Sequence, residues 1–261
     1  MMLPPYLRDL LRMIPKEISS LQHPLVKHWV RLRTSSSYRR RENALLATGE
    51  NIFPELAVSH TFRRILVQKG SSTPPSLPCE EYIIVTEEIL KKITGLSQPE
   101  PIVAEMPLPR PADLVSAERL LIIDRIADPG NLGTLLRSAL AFGWDGVFFL
   151  EGSVDPFNDK AFRASKGALF RLPFSEGDEE DLEQLIAKKK WVVLGASMEG
   201  RPIESTPSYT PPFMLILGSE ASGLSSFSKK RAELLSLPMK GEMESLNVAV
   251  AGGILMYLLR A

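Results

Sequence analysis

Short, almost wholly apolar runs recur through the second half of the chain, at 120–123, 146–150, 191–196 and 213–217, with a weaker one at 236–239. Each is too short for a buried helix and lacks the polar alternation of a strand with one wet face. These runs therefore predict strands covered on both sides. Between them, 134–142, 160–170, 181–189, 229–235 and 246–259 carry apolar residues at helical spacing. Strand and helix in alternation predict a parallel sheet with helices on both faces. Ligands of such sheets sit at the carboxyl ends of the strands.

The first half has a different grain. Residues 1–16 combine Leu7, Leu10, Leu11 and Ile14 with Arg8 and Arg12, as a short amphipathic helix does. Leu25, Val26, Trp29, Val30 and Leu32 follow at helical spacing, in a helix that begins at Ser20 or at the His23-Pro24 step. Strands are expected at 44–47, 64–68 and 82–85, with a Pro- and Ser-rich loop, 71–78, between the last two. A helix is expected at 51–58, and another at 86–93 with Thr86 as its cap and Glu87 and Glu88 in its first turn. Together these describe a small α/β domain, 17–105. The alternating prolines of Met106-Pro107-Leu108-Pro109-Arg110-Pro111-Ala112 then read as a stiff linker, 106–117, ahead of the parallel-sheet domain, 118–261.

Composition narrows the chemistry. A single cysteine, Cys79, excludes a disulfide framework and any metal site built mainly on thiolates. The three histidines, His23, His28 and His60, all precede the parallel-sheet domain, which leaves that domain without the imidazole of a metal centre or a Ser-His-Asp triad. The longest apolar run, 248–259, contains Gly252 and Gly253 and falls short of the roughly 18 residues a membrane span needs. Pro4, Pro5, Arg8, Asp9 and Arg12 interrupt any signal-peptide core. A cytoplasmic protein with neither membrane nor metal partner is the expectation.

Formal net charge is zero, so bulk charge does not argue for a polyanionic partner, and only local clustering can. Lys27, Arg31, Arg33, Arg39, Arg40 and Arg41 form such a cluster, with three serines and Tyr38 among them and no acid until Glu42. This is the make-up of a phosphate-contacting patch, with Tyr38 able to stack on a base. The plainer reading is a solvated helix face.

Three strand ends carry polar residues among small ones. After 120–123 comes Asp124-Arg125-Ile126-Ala127-Asp128-Pro129-Gly130-Asn131-Leu132-Gly133, with Arg137 on the helix that follows. After 213–217 comes Gly218-Ser219-Glu220-Ala221-Ser222-Gly223-Leu224, which matches neither the Rossmann G-x-G-x-x-G nor a P-loop. After 236–239 the chain reaches Ser245-Leu246-Asn247 and an apolar helix. Singly, each has a bland explanation: Asn131 or Glu220 capping the next helix, and Ser245 as the N-cap of the last one. Together they assemble Asn131, Arg137, Glu220, Ser245 and Asn247 with backbone amides from glycine loops. No histidine, cysteine or paired carboxylate is among them, so triad hydrolysis, glycosidic chemistry and metal catalysis find little support. Group transfer from a bound activated donor, where positioning supplies most of the rate, fits better.

These three segments, Asp128-Pro129-x-Asn131-x-Gly133-x-x-x-Arg137, Gly218-x-Glu220-x-x-Gly223-Leu224 and Leu237-Pro238-Met239…Ser245-Leu246-Asn247-Val248, resemble in order and spacing the motifs of the SpoU (TrmH) family of RNA 2′-O-ribose methyltransferases. Arg163-Ala164-Ser165-x-Gly167-Ala168-x-Phe170 also looks like a family segment, and the likeness runs from about 118 to the end. Residues 18–49 are similar, more loosely, to the ribosomal-protein-like substrate-binding domain that precedes many such catalytic domains. The resemblance implies an α/β SPOUT fold: a parallel sheet whose C-terminal part is threaded into a trefoil knot, a rare exception to unthreaded chains. It implies S-adenosylmethionine held by Ala196, Ser197, Gly218, Glu220, Leu237, Met239, Leu246 and Asn247, and a homodimer with the active site at the subunit interface. Arg137 would act on the ribose 2′-hydroxyl, surrounded by Asn131, Glu220, Ser245 and Asn247. A guanidinium stays protonated in proteins, so steadying a phosphate or a developing alkoxide asks less of it than serving as a base. Two positions depart from the pattern. Ala249 stands where relatives commonly have serine, and Ala47-Thr48-Gly49 replaces a segment that usually reads as an acid before glycine.

Ribosomal RNA is favoured over transfer RNA as substrate, by analogy with the appended N-terminal domain. Two rivals stand beside this reading. One is a SPOUT domain that binds RNA without methylating it, which would have no need of all five polar residues. The other is a metabolic α/β enzyme with a nucleotide cofactor, which would have no use for the Lys27–Arg41 cluster.

Overall fold

The computed structural model describes residues 16–71, 77–205, 209–241 and 245–260. The helix expected over 1–16 and most of the 71–78 loop lie outside them. The chain divides into two compact units, Met1–Leu108 with Phe157–Arg163 and Pro109–Pro156 with Ala164–Ala261.

The first unit is built on five strands: β1 (Lys16–Ile18), β2 (Ala44–Thr48), β3 (Phe62–Gln68), β4 (Cys79–Val85) and β5 (Ile102–Pro107). They lie in the order β1-β4-β3-β5-β2, parallel from β1 to β3 and antiparallel through β5 to β2. Its helices are α1 (Pro24–Thr34), α2 (Ser36–Glu42), α3 (Phe53–Ala57) and α4 (Glu87–Thr94). Of the two starts open to α1, the His23-Pro24 step is the one used. The His23 imidazole accepts the Leu25 amide at 3.2 Å, and Pro24 takes a position where no amide bond is lost. Thr86 caps α4 through the Ile89 amide, as expected. Val26, Trp29 and Leu32 of α1 join Ile89, Leu90 and Ile93 of α4 against Leu66, Ile83, Val85 and Val103 of the sheet.

Strand β5 is not among the expected elements, and it corrects the linker. Met106 and Pro107 are strand, paired with Leu45 and Ala44, while Leu114 and Ala117 are buried in the core of the second unit. The proline ends the strand, where its missing N–H is tolerated. What hides β5 in the sequence is Glu105, a charge inside an apolar run.

The second unit holds β6 (Arg119–Asp124), β7 (Gly146–Leu150), β8 (Phe174–Gly177), β9 (Val192–Pro202), β10 (Phe213–Gly218) and β11 (Glu233–Ser236). Every pairing is parallel, in the order β11-β9-β10-β6-β7-β8. Its helices are α5 (Pro129–Ala141), α7 (Glu179–Ala187), α8 (Ser226–Arg231) and α9 (Val248–Leu258), while most of α6 (Asp159–Ser165) falls in the segment grouped with the first unit. Leu120, Ile122, Phe148, Leu150, Met214 and Ile216 share one face of the sheet with Leu182 and Leu185 of α7 and Phe227 of α8. Leu217, one residue on and therefore on the opposite face, meets α9. A Cβ on Gly252 would lie 2.5 Å from both Leu217 and Leu135 of α5. A side chain there would require both leucines to shift.

Three boundaries differ from expectation. The helix expected over 160–170 stops at Ser165, because Lys166 (φ 52°) and Gly167 (φ 69°) are left-handed, and a 3₁₀ turn, Ala168–Phe170, follows. The helix expected over 229–235 ends at Arg231, and the last strand forms at Glu233–Ser236, about three residues before its expected place. Pairing with β9 selects that register, and Pro238 could not donate to the ladder. Strands β1 and β8 were too short to show in the pattern, and β9 runs six residues past the expected end at 196.

Candidate active site

Because the sheet of the second unit is parallel, the carboxyl ends of its strands share one edge, where Gly218 pairs with Asp124. The loops after β6, β10 and β11 leave from there. Asp128 caps α5: its carboxylate accepts the Asn131 amide at 2.8 Å, with Pro129 in the first turn. Asn131 is therefore not the cap, and its side chain is free for other work. Ser225 caps α8, so Glu220 is not a cap either. Ser245 is not the N-cap of α9; that role belongs to Asn247, whose Oδ1 accepts the amides of Ala249 at 2.9 Å and Val250 at 3.4 Å.

That cap sets the orientation of a chain of side chains. With Asn247 Oδ1 committed to the helix, its Nδ2 donates to Asn131 Oδ1 at 3.0 Å. Asn131 must then turn its own Nδ2 outward, and it donates to Glu220 Oε1 at 2.8 Å. Each amide has one workable orientation, and the chain ends on a charged acceptor, the stronger kind. Three loops separated by up to 116 positions in sequence are joined by two hydrogen bonds.

Beside this chain lies a cavity of about 460 Å³. Ala196, Ser197, Gly218, Glu220, Leu237, Met239, Leu246 and Asn247, expected to hold the methyl donor, all line it, and so does Ser245. Leu217, Leu224, Leu235 and Leu255 make its wall largely apolar, and Glu220, Asn247 and Ser197 supply polar atoms, the usual mixture of a small-molecule site. Gly218 closes the loop against itself, since a Cβ there would fall inside the backbone of Gly223 and Leu224. A largely apolar cavity bordered by backbone and a carboxylate has a lining that fits S-adenosylmethionine. Met198, Glu199, Ser219, Lys229 and Ser236 also line the cavity and were not foreseen. The first two escape notice because β9 continues beyond the run that marks it.

Arg137 stands apart. It is exposed, lines neither this cavity nor the neighbouring groove, and makes no hydrogen bond or ion pair among the described residues. The groove, about 570 Å³, is bordered by Asn131, Thr134, Asn247, Val250, Ile254 and Tyr257. Val250, Ile254, Tyr257 and Leu258 of α9 are large apolar residues left exposed.

The basic cluster belongs to the first unit. Lys27, Arg31, Arg40 and Arg41 are exposed and Arg33 is half-buried. Tyr38 and Arg39 are corrections. Arg39 is 3% exposed and donates to the carbonyls of Leu32 and Arg33, so it ties α1 to α2. Tyr38 is 8% exposed, with guanidinium groups over its ring, and no base can stack there.

The SpoU rRNA Methylase family model matches residues 118–257. One relative, the 23S rRNA (guanosine(2553)-2'-O)-methyltransferase RlmP of Bacillus subtilis (strain 168), is 33% identical over 249 residues, 94% of this chain and 99% of its own. An AdoMet-bound rRNA methyltransferase structure from Sinorhizobium meliloti superposes with a TM-score of 0.81 at 25% identity, over 94% of this chain and 97% of that one. The SpoU methyltransferase AviRb from Streptomyces viridochromogenes, in complex with AdoMet, does so at 0.81 and 25% identity, over 92% and 97%. With three motif loops meeting at one edge, a family model over half the chain and a relative matched along nearly its whole length, this chain belongs to the SpoU rRNA methylase family.

Proposed function

We propose that the chain is an RNA 2′-O-ribose methyltransferase that uses S-adenosylmethionine and acts on ribosomal RNA in the cytoplasm. One observation carries the reading: Asn247 lines both the 460 Å³ cavity and the groove beside it. A donor held in the first and a nucleotide in the second would meet at the Glu220–Asn131–Asn247 chain. Ribosomal RNA is preferred over transfer RNA because the relative matched at full length is a 23S rRNA methyltransferase.

Bound S-adenosylmethionine supplies a methyl group on a sulfonium, ready for attack by an oxygen. The chain's own residues would do the rest. Residues 196–199, 218–224, 237–239 and 245–247 hold the donor. Asn131, oriented by Asn247 and Glu220, and Ser245 present polar atoms toward the ribose. Arg137 neutralises the adjacent phosphate and the charge on the 2′-oxygen, whose proton passes to solvent water as it takes the methyl group, a task for a permanent cation with a planar fork of donors.

Arg137 lies outside the cavity, and the reading accounts for that by a homodimer in which one subunit's Arg137 completes the other's site. The exposed apolar residues of α9 support such a contact. The reading also includes the trefoil knot: α9, after edge strand β11, returns to lie on β10 and α5, two strands inward. The first unit, 17–105, would be the ribosomal-protein-like RNA-binding domain, carrying Lys27, Arg31, Arg33, Arg40 and Arg41.

Incubation with tritiated S-adenosylmethionine and unmodified ribosomal or transfer RNA, followed by mapping of 2′-O-methyl positions, tests the proposal. Label on a ribosomal ribose is expected. Label on a base, or none on either RNA while the donor binds, would overturn it, and label confined to transfer RNA would reverse the choice of substrate.

A further inference from the structure

A buried carboxylate underlies the basic patch of the first unit. Glu105 of β5 is 1% exposed, accepts from Trp29 Nε1 at 2.9 Å and from Arg64 Nη1 at 2.8 Å, and lies 3.4 Å from His28 Nε2. The other ring nitrogen of His28 is 2.8 Å from the Tyr38 hydroxyl. Tyr38 in turn carries two cations: the Arg31 Cζ is 4.0 Å, and the Arg41 Cζ 4.7 Å, from the centroid of its ring. The Arg31 side chain has no hydrogen bond or ion pair among the described residues, and Arg41 donates from Nε and Nη2 to Oε1 of the neighbouring Glu42, at 3.1 and 3.0 Å.

Two guanidinium groups on one ring repel each other. The electron-rich ring offsets part of that repulsion. Neither arginine fills the core, since both are exposed. The arrangement keeps two planar cations ordered at the surface, Arg41 sharing the exchangeable, part-exposed carboxylate of Glu42 and Arg31, one helical turn from exposed Lys27, carrying none. The fork of a guanidinium matches phosphate oxygens in pairs, and a phosphate offers Arg41 more charge than the single carboxylate of Glu42.

We propose that Arg31 and Arg41, seated on Tyr38, form a clamp for a backbone phosphate of the substrate RNA, with Tyr38 as a pedestal under the cations and not as a platform for a base. The proposal rests on the RNA methyltransferase reading and adds to it which cations of the cluster make the contact and how they are held.

Filter binding of the full-length protein to unmodified ribosomal RNA, across a series from 50 to 200 mM salt, tests it. Each phosphate contact contributes roughly 0.7 to 0.9 to the slope of log affinity against log salt. Arg31→Ala and Arg41→Ala should each lower the slope by about that amount, with thermal melting confirming that the variants fold. Tyr38→Leu should lower it as well, whereas Tyr38→Phe, which keeps the ring, should not. Arginine variants with the wild-type slope, beside a wild type that binds and methylates RNA, would overturn the clamp alone. A Tyr38→Leu variant weakened equally at every salt concentration would restore base stacking and overturn the pedestal. A wild type without salt-dependent RNA affinity would bring down the methyltransferase reading itself.

Discussion

Arg137 and Asn131 sit on one helix six positions apart and have opposite surroundings. Asn131 is held by two neighbours, while Arg137 is held by none among the described residues. A side chain without internal partners can give its whole donor fork to a substrate. Lysine in its place keeps the charge and loses the bidentate geometry. Arg137→Lys is therefore expected to lower kcat tenfold or more while the affinity for S-adenosylmethionine, measured by calorimetry, stays within about twofold, a transition-state loss of roughly 1.4 kcal/mol. Near-normal turnover would remove Arg137 from the mechanism. Glu105 shows a charge under the opposite constraint. Burial alone would raise its pKa, but hydrogen bonds from His28, Arg64 and Trp29, with the charge of Arg64, outweigh burial and bring it from the ordinary 4.5 to about 2. A carboxylate depressed in the folded state stabilises fully above its unfolded value and loses that contribution as pH falls from about 4.5 toward 2. By linkage this amounts to roughly 3 kcal/mol. Urea unfolding at stepped pH should show the loss in the wild type and a flatter profile in Glu105→Gln. Parallel profiles would contradict the assignment.

At the scale of elements, the site depends on how closely loops and helices approach. Gly218 ends β10 where the loop folds back on its own backbone, and there is no flexible side chain that could yield to an added methyl group. Gly218→Ala should displace the loop that carries Glu220, weaken donor binding tenfold or more, and leave the basic cluster of the first unit untouched. Calorimetry with S-adenosylmethionine, alongside RNA filter binding as the control, measures both. Undiminished donor affinity would show that the loop does not form that wall. Caps matter at the same scale. Asp128, Ser225 and Asn247 start their helices, and in doing so they leave Asn131 and Glu220 available and fix which way round Asn131 points.

At the scale of the molecule, α9 has one buried face and one exposed apolar face. Ala249, Gly252, Leu255 and Met256 are buried, and Val250, Ile254 and Tyr257 are exposed beside the groove that borders Asn131. If a second subunit covers that face and supplies Arg137, a charge placed there should separate the subunits and abolish turnover together. Ile254→Glu, 41% exposed in the wild type and so tolerable in a lone chain, is expected to shift the mass in analytical ultracentrifugation from dimer to monomer, with methylation lost and the fold retained by circular dichroism. A monomeric variant at full activity would rule out a shared site.

The order of strands and helices in the second unit was legible because burial on both faces leaves runs such as Leu120-Leu121-Ile122-Ile123 that little else produces. The three motif loops were legible because glycine and proline mark where the chain must turn. The sequence by itself thus determined the parallel α/β architecture, the strand ends whose loops meet at the cavity and part of the cavity's lining. What it could not decide were questions of partnership. Whether Ser245 or Asn247 caps α9 depends on which oxygen reaches the first amides. Whether Tyr38 faces outward or lies beneath two arginines depends on His28 and Glu105, the latter 67 positions away. Strand β5 hides in the pattern because its buried glutamate is satisfied by Arg64, Trp29 and His28, from other elements. Hydrophobic periodicity is a local property and survives in one dimension. Pairing of polar groups is settled only when distant segments are brought within about 3 Å of each other, and there the tertiary structure alone decides.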